Sequence, residues 1–421
     1  MKLQSLLRTA TVAVCASALL AGCGAGASSS SKVTLTLASN QYNTEPAYLE
    51  LKKLVTQYNK EQNKVTVELQ ILNDYEPTMK TKMAANDLPD LFFTHGWSTT
   101  RYAEYLEPLQ NRSWAKHINP LIKSRITSTS GKIYALPMEV SMGGIVFNET
   151  VLKEAGVDWQ SIQTWADFTN ACKKIKAAGK TPIAIGGLKD NWTVGNFFDF
   201  ALPSFLVTNT ASNYRKQLLN GSFDWNNVNP FYKMFMEYYD AGFFNSSIRE
   251  GTNQDIIDGL SHDQAAFAFT QTSIWTQIQE INNKAKIGLM PIPSYAKNDT
   301  PVAISGEGIA IGAWKDGTHK DDALKFLDWL SQSSNINAMC ATTLNPTGIV
   351  GAGYKNQAGN FNQYYSQIAK YRTFGYFDRD YLPSGMWDTL TKVGETMITR
   401  SGDEKAVVAK LQSDYDKLIK Q

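Results

Sequence analysis

The residue types that most often carry chemistry are sparse and unpaired in this chain. The four histidines, His95, His117, His262 and His319, are widely spaced. None stands in an H-E-x-x-H pattern and none has a Cys or second His beside it, so the spacing argues against a metal site. No G-x-S-x-G elbow, no G-x-x-x-x-G-K-[ST] loop and no EF-hand loop occurs. Ser305-Gly306-Glu307-Gly308 is glycine-rich but lacks the spacing of a dinucleotide fingerprint, and no cofactor is expected. Two carboxylates cleaving a glycosidic bond need no fixed sequence spacing, so that enzyme class stays open. What stands out is aromatic: 10 Trp beside 19 Tyr and 19 Phe. An indole is costly to expose and well suited to a flat ligand surface, so the Trp excess asks for a ligand.

The chain has 421 residues, 43% hydrophobic and 19% charged, enough for two or three domains with a large core. Its 41 Lys and Arg against 39 Asp and Glu argue against a nucleic-acid partner, which would select a basic face. Lys2 and Arg8 precede an uncharged, mostly apolar run from Thr9 to Leu20. That run is too short for a permanent membrane span and fits a signal-peptide core. It ends in Leu20-Ala21-Gly22-Cys23, which resembles the lipobox of bacterial lipoproteins. The resemblance implies cleavage after residue 22 and lipidation of Cys23, anchoring the protein on the extracellular face of the membrane. Residues 23–32 read as a flexible Gly/Ala/Ser tether. Loss of residues 1–22 removes two of the 41 basic residues and leaves 39 against 39 acids. Cys15 leaves with the signal, and Cys172 and Cys340 are expected as small core residues rather than a disulfide scaffold.

Alternating strands and helices must position any site. Val33–Ala38 alternates with period two, and Tyr48–Lys60 places Leu51, Leu54, Val55 and Tyr58 on one helical face. Val65–Ile71 is the next expected strand, Met79–Ala85 a helix and Asp90–Phe93 a short buried strand. This order predicts a parallel sheet with helices on both faces and a ligand beyond the carboxyl ends of its strands. A second α/β set begins near residue 145. It has a helix from Trp165 to Ala178, strands at Thr181–Ile185 and Ala265–Thr270, and a helix at Phe231–Tyr239. A strand at Gly308–Ile311, a helix at Lys320–Leu330 and helices from Met386 to Ile419 complete the reading.

Several motifs, in order, resemble the extracellular solute-binding lipoproteins of bacterial carbohydrate ABC transporters. Leu88-Pro89-Asp90-Leu91-Phe92 is similar to that family's P-D-[IL] strand, with Tyr102-Ala103-Glu104 after it. Gly131-Lys132-Ile133-Tyr134-Ala135-Leu136-Pro137 resembles its G-K-x-Y hairpin, and Gly144 to Asn148 the aromatic-Asn stretch that follows. Trp165-Ala166-Asp167-Phe168, with Thr164 as N-cap, is similar to its T-W helix start. Tyr381 to Asp388 resembles the C-terminal ligand loop of the raffinose and multiple-sugar branch. The resemblance implies an α/β, two-lobed periplasmic-binding-protein-like fold with the ligand in the interlobe cleft. Lobe 1 is expected at 33–143 and 304–344, and lobe 2 at 144–303 and 345–421. The implied function is capture of a short α-galactoside or α-glucoside oligosaccharide by a monomer, which hands it to the transmembrane permease subunits of an ABC importer without covalent chemistry. A secreted glycosidase and a surface adhesin are the rival readings.

Pyranose rings have an apolar face that indoles cover and a hydroxyl rim that amides and carboxylates bond. The expected ring surfaces are Trp97, in the loop Thr94-His95-Gly96-Trp97, together with Trp192, Trp275 and Trp387. The expected polar partners are Asn40 and Gln41 after the first strand, Asp74 and Tyr75 after the second, and Thr94. Glu139, Ser141 and Glu307 lie beside the crossings, and Asn191, Gln271 and Asp388 beside the tryptophans.

Overall fold

The computed structural model describes residues 32–420 apart from 42, 44, 73, 211 and 356–361. The signal segment, Cys23 and nearly all of the tether lie outside the described residues. The strands among the described residues are β1 Val33–Ser39, β2 Val65–Ile71, β3 Leu91–Phe93, β4 Leu136–Pro137, β5 Val140–Asn148, β6 Thr181–Ile183, β7 Ala265–Gln271, β8 Ile287–Met290, β9 Val302–Glu307, β10 Ala310–Ala313 and β11 Arg372–Phe374.

They form two sheets. The first has the order β2-β1-β3-β10-β4. Its first three strands are parallel, Val33 opposite Val65 and Leu37 opposite Leu91, as the β-α-β-α-β order requires. The sheet is not parallel throughout: β10 enters antiparallel to β3, with Ile311 opposite Phe93. It belongs to the returning chain rather than to a βαβ unit, so the handed crossover rule does not constrain it. The second sheet has the order β11-β9-β5-β7-β6, with β8 also on β5. Strand β5 is its spine. Its first half pairs with β9 and its second half with β7 and β8, all antiparallel.

Helices cover both sheets with the faces their periodicity predicts. Leu51, Leu54, Val55 and Tyr58 of the helix Pro46–Glu61 are buried. The helix Trp165–Ala177 is held at its start by a capping box between Thr164 and Asp167, and it buries Trp165, Phe168, Cys172 and Ile175. An aromatic cluster fills the second unit; the rings of Phe197 and Phe269 meet at 4.1 Å, and Phe168 packs on Phe267 at 4.8 Å. Cys172 and Cys340 are free and buried. Among the described residues no helix is long and apolar enough to cross a membrane.

The chain passes between the sheets at three places: from β4 to β5, from β9 to β10, and after the helix Ser333–Thr343. These segments are hydrogen-bonded to one another: Met138 N–H to the Ile309 carbonyl at 2.8 Å, Val140 N–H to Pro346 at 2.8 Å, and Gly348 N–H to Met138 at 3.1 Å.

Candidate functional site

Between the two units lies a cavity of about 710 Å³, within the range of small-molecule sites. One wall is built at the carboxyl ends of the parallel strands β1, β2 and β3. Asn40 follows β1, Asp74 and Tyr75 follow β2, and His95 and Trp97 follow β3. Left-handed backbone at Asp74, His95 and Gly96 turns the chain sharply there. Asn40 Nδ2 and His95 Nδ1 lie 2.6 Å apart. Burial, then the guanidinium groups of Arg379 and Arg101, hold the His95 imidazole well below its usual pKa, so it is neutral. The Tyr75 hydroxyl is committed to the Phe93 carbonyl at 2.5 Å. Trp97 is only 3% exposed: Arg101 lies over its ring at 4.3 Å, and His95 and Tyr102 meet it edge-on. Its role in the wall is therefore an edge rather than an open face.

The opposite wall comes from three helices of the second unit. Trp192, Asn196 and Asp199 stand at i, i+4 and i+7 on the helix Trp192–Leu206 and so share one face. Asp378 and Arg379 come from the short helix Phe377–Tyr381. Trp387 and Asp388 come from the start of the helix Met386–Thr399, while Gln271 ends β7. Trp387 is thus a partly buried helical residue rather than a loop residue. Asp388 beside it is exposed, and Trp192 is 37% exposed.

The floor is acidic. The Asp378 N–H donates to Asp199 Oδ1 at 2.7 Å. Burial, then Asp378, push the Asp199 carboxyl up to about 7. Burial likewise raises Glu76 to about 7, opposed by Arg101 at 3.1 Å. Among the described residues no group of three or more His, Cys, Asp and Glu could hold a metal ion.

Eight of the residues expected from sequence line this cavity: Asn40, Asp74, Tyr75, Trp97, Trp192, Gln271, Trp387 and Asp388. The structure places the others elsewhere, each for a physical reason. Glu139 is buried at the junction of the three crossings, where Thr343 Oγ1 donates to it at 2.5 Å and Gly308 packs against its side chain. Glu307 is buried and accepts from the hydroxyls of Thr94 and Ser98, tying a crossing to the loop after β3. This accounts for Thr94 as well. Burial raises both glutamates above the usual carboxylate range. Ser141 is paired with the Tyr376 hydroxyl at 2.7 Å. Asn191 donates to Glu395 at 2.6 Å and joins two helices of the second unit. Trp275 is 8% exposed in the helix Ile274–Ile281 and packs in the core. Gln41 turns back through its N–H to Ser39 Oγ at 3.0 Å and lies outside the wall.

No local pattern in the sequence marks Asn196, Asp199, Asp378 or Arg379 as cavity residues. The helix Trp192–Leu206 is buried along nearly its whole length, so no apolar stripe set its cavity-facing polar residues apart. The segment around Asp378 has five helical residues, too few for a period.

Two mixed sheets flanked by helices, joined by three crossings around a cleft, define a periplasmic-type solute-binding protein. The chain belongs to the bacterial extracellular solute-binding protein family, whose description matches residues 43–335. It is 31% identical over 395 residues to the melibiose/raffinose/stachyose-binding protein of Bacillus subtilis, covering 93% of this chain and 91% of that one. A Bacillus licheniformis sugar transporter protein solved with stachyose superimposes with a TM-score of 0.81 at 30% identity, over 92% of this chain and 100% of that one. A Bacillus subtilis binding protein solved in an open conformation gives a TM-score of 0.85 at 30% identity, over 93% and 98%.

Proposed function

We propose that this protein captures a short oligosaccharide of the α-galactoside or α-glucoside kind outside the cell and delivers it to an ABC importer. The observation that carries this reading is that two partly exposed indoles, Trp192 and Trp387, wall one cavity whose floor is Asn196, Asp199 and Asp378. Indoles cover the apolar faces of pyranose rings while amides and carboxylates bond the hydroxyl rim. The relative that binds melibiose, raffinose and stachyose, and the neighbour solved with stachyose, support the same ligand class. The two lobes change over at the three crossings, between β4 and β5, between β9 and β10 and after Thr343, a few residues from the expected boundaries at 143/144, 303/304 and 344/345, and closure about these crossings traps the sugar. The closed monomer then docks on permease subunits that supply the energy, and the chain itself does no covalent chemistry. Leu20-Ala21-Gly22-Cys23 makes Cys23 the lipid anchor.

Calorimetry against melibiose, raffinose, stachyose and maltotriose tests the reading. Binding of at least one with intact recovery of the sugar is expected. Absence of binding to every di- to tetrasaccharide, or hydrolysis of the bound sugar, overturns it. Cys23→Ala is expected to leave the protein unprocessed or shed into the medium; stable retention at the membrane would remove the anchor.

A further inference from the structure

Three residues that line the cavity each carry a polar atom buried without a hydrogen-bond partner among the described residues: Trp97 Nε1, Asn196 Nδ2 and Asp378 Oδ1. Their residues are 3%, 3% and 6% exposed, which is deep enough that an unpaired group is costly. Contacts tie the segments that carry them to one another. Asn196 stands one helical turn before Asp199, whose carboxylate accepts the Asp378 N–H at 2.7 Å. Arg101 lies over the Trp97 ring at 4.3 Å and donates to the Asp378 carbonyl at 3.2 Å. Trp97 follows a strand of the first sheet, whereas Asn196 and Asp378 sit on helices of the second unit.

Two of these atoms are donors and one is an acceptor. A hydroxyl is the small group that both donates and accepts, so it complements the set. A carboxylate would face the Asp378 and Asp199 carboxyls, and an ammonium would leave both donors unpaired. We propose that Trp97, Asn196 and Asp378 form the specificity-determining end of the cleft, reading a free hydroxyl of a neutral sugar unit and rejecting the same unit when that hydroxyl is missing or when the unit is a uronate. The inference rests on the sugar-binding reading above and goes beyond it, because it assigns discrimination to three named atoms. A site built to hydrogen-bond a hydroxyl rejects the analogue lacking it strongly, since the partners are then left buried and unpaired. The reader is also split between the two units, so a hydroxyl seated there joins them and favours closure.

The test is titration calorimetry with raffinose and with its galactose-monodeoxy and galacturonate analogues, on the parent, Asn196→Ala and Asp378→Ala. Thermal unfolding of each serves as the control for folding. For the parent, one monodeoxy analogue and the galacturonate are expected to bind at least about 100-fold more weakly than raffinose. Both variants are expected to unfold cooperatively, to bind raffinose about 10- to 100-fold more weakly, and to lose most of the preference for raffinose over that deoxy analogue. A purely structural role would weaken all the sugars alike and leave the preference unchanged. Should the parent bind raffinose while every deoxy analogue binds within threefold, or should the variants keep the parent's preference, the assignment is overturned and sugar binding stands. Should the parent bind no sugar of the panel, the functional reading falls, and this inference falls with it.

Discussion

The indole of Trp387 lies against the bare α-carbon of Gly195: a Cβ built on Gly195 would stand 3.0 Å from both Cζ2 and Cη2 of the ring. That contact seats one wall of the cleft on the helix that carries Trp192, Asn196 and Asp199. It is closer than nearly all real Cβ contacts, and a methyl there would also meet Thr391 at 2.9 Å.

Two substitutions therefore separate ring surface from ring placement. Trp387→Ala removes a stacking surface and is expected to cost about 2–3 kcal/mol of sugar binding, some 30- to 150-fold in Kd. The fold should survive, because the side chain is only partly buried. Gly195→Ala leaves the indole present but displaces it, and a smaller loss of about 3- to 20-fold is expected. Calorimetry with raffinose reads both. Unchanged affinity in Trp387→Ala would place the ligand elsewhere.

The acidic floor makes stability depend on pH with a defined sign. Burial raises the Asp199 carboxyl to about 7, and Glu76 to about the same value. In the unfolded chain both groups release their protons near their ordinary values of about 4. Between about pH 4 and 7 the folded state thus holds more protons, and stability falls as pH rises through that window. Asp199→Asn is expected to flatten the decline and to be more stable than the parent at about pH 8, by about 1–3 kcal/mol. Denaturant melts across this range check it; a parallel pH profile in the variant would show that Asp199 ionises normally.

Glu139 and Glu307 belong to the crossings, and their loss should be felt as stability before it is felt as affinity. Removing either carboxylate takes away the shorter-range acceptor of buried hydroxyls, Thr343 in one case and Thr94 with Ser98 in the other, and leaves Thr343 and Thr94 only long bonds to backbone carbonyls. Glu139→Ala and Glu307→Ala are each expected to cost about 1–3 kcal/mol of unfolding free energy. The Gln variants should cost less. Chemical denaturation gives the comparison, and a loss of sugar binding with no loss of stability would move these residues into the site.

Arg101 joins the units in a way that should bias closure. From the loop after β3 it pairs with Glu76 at 3.1 Å and donates to the carbonyls of Asp378 at 3.2 Å and Leu382 at 3.1 Å in the second unit. Lysine cannot reproduce that fork. If Arg101→Lys disfavours the closed form by about 1.4 kcal/mol, apparent affinity falls about tenfold and the scattering profile of the unliganded protein shifts toward a more open shape. An unchanged profile would show that the bridge does not set the equilibrium.

The strands and amphipathic helices were legible in the sequence because their signals are local. The alternation of Val33–Ala38, the face Leu51-Leu54-Val55-Tyr58 and the cap at Thr164 each depend on residues within one element, and all three stand in the structure. The loops after β1, β2 and β3 followed from strand polarity alone, which is why Asn40, Tyr75 and Trp97 were found at the cleft. Tertiary structure decided what no period encodes. Whether a glutamate beside a crossing is solvated or buried depends on a hydroxyl some two hundred residues away, as with Glu139 and Thr343 or Glu307 and Thr94. The antiparallel entry of β10 depends on the path of the returning chain. The pairing of Asp199 with Asp378, which builds the floor of the cleft, joins a buried helix to a single-turn helix across 179 positions of sequence. Sequence spacing determines which side chains share one element's face; only packing brings faces of different elements to the same cavity, here the one proposed as the sugar site.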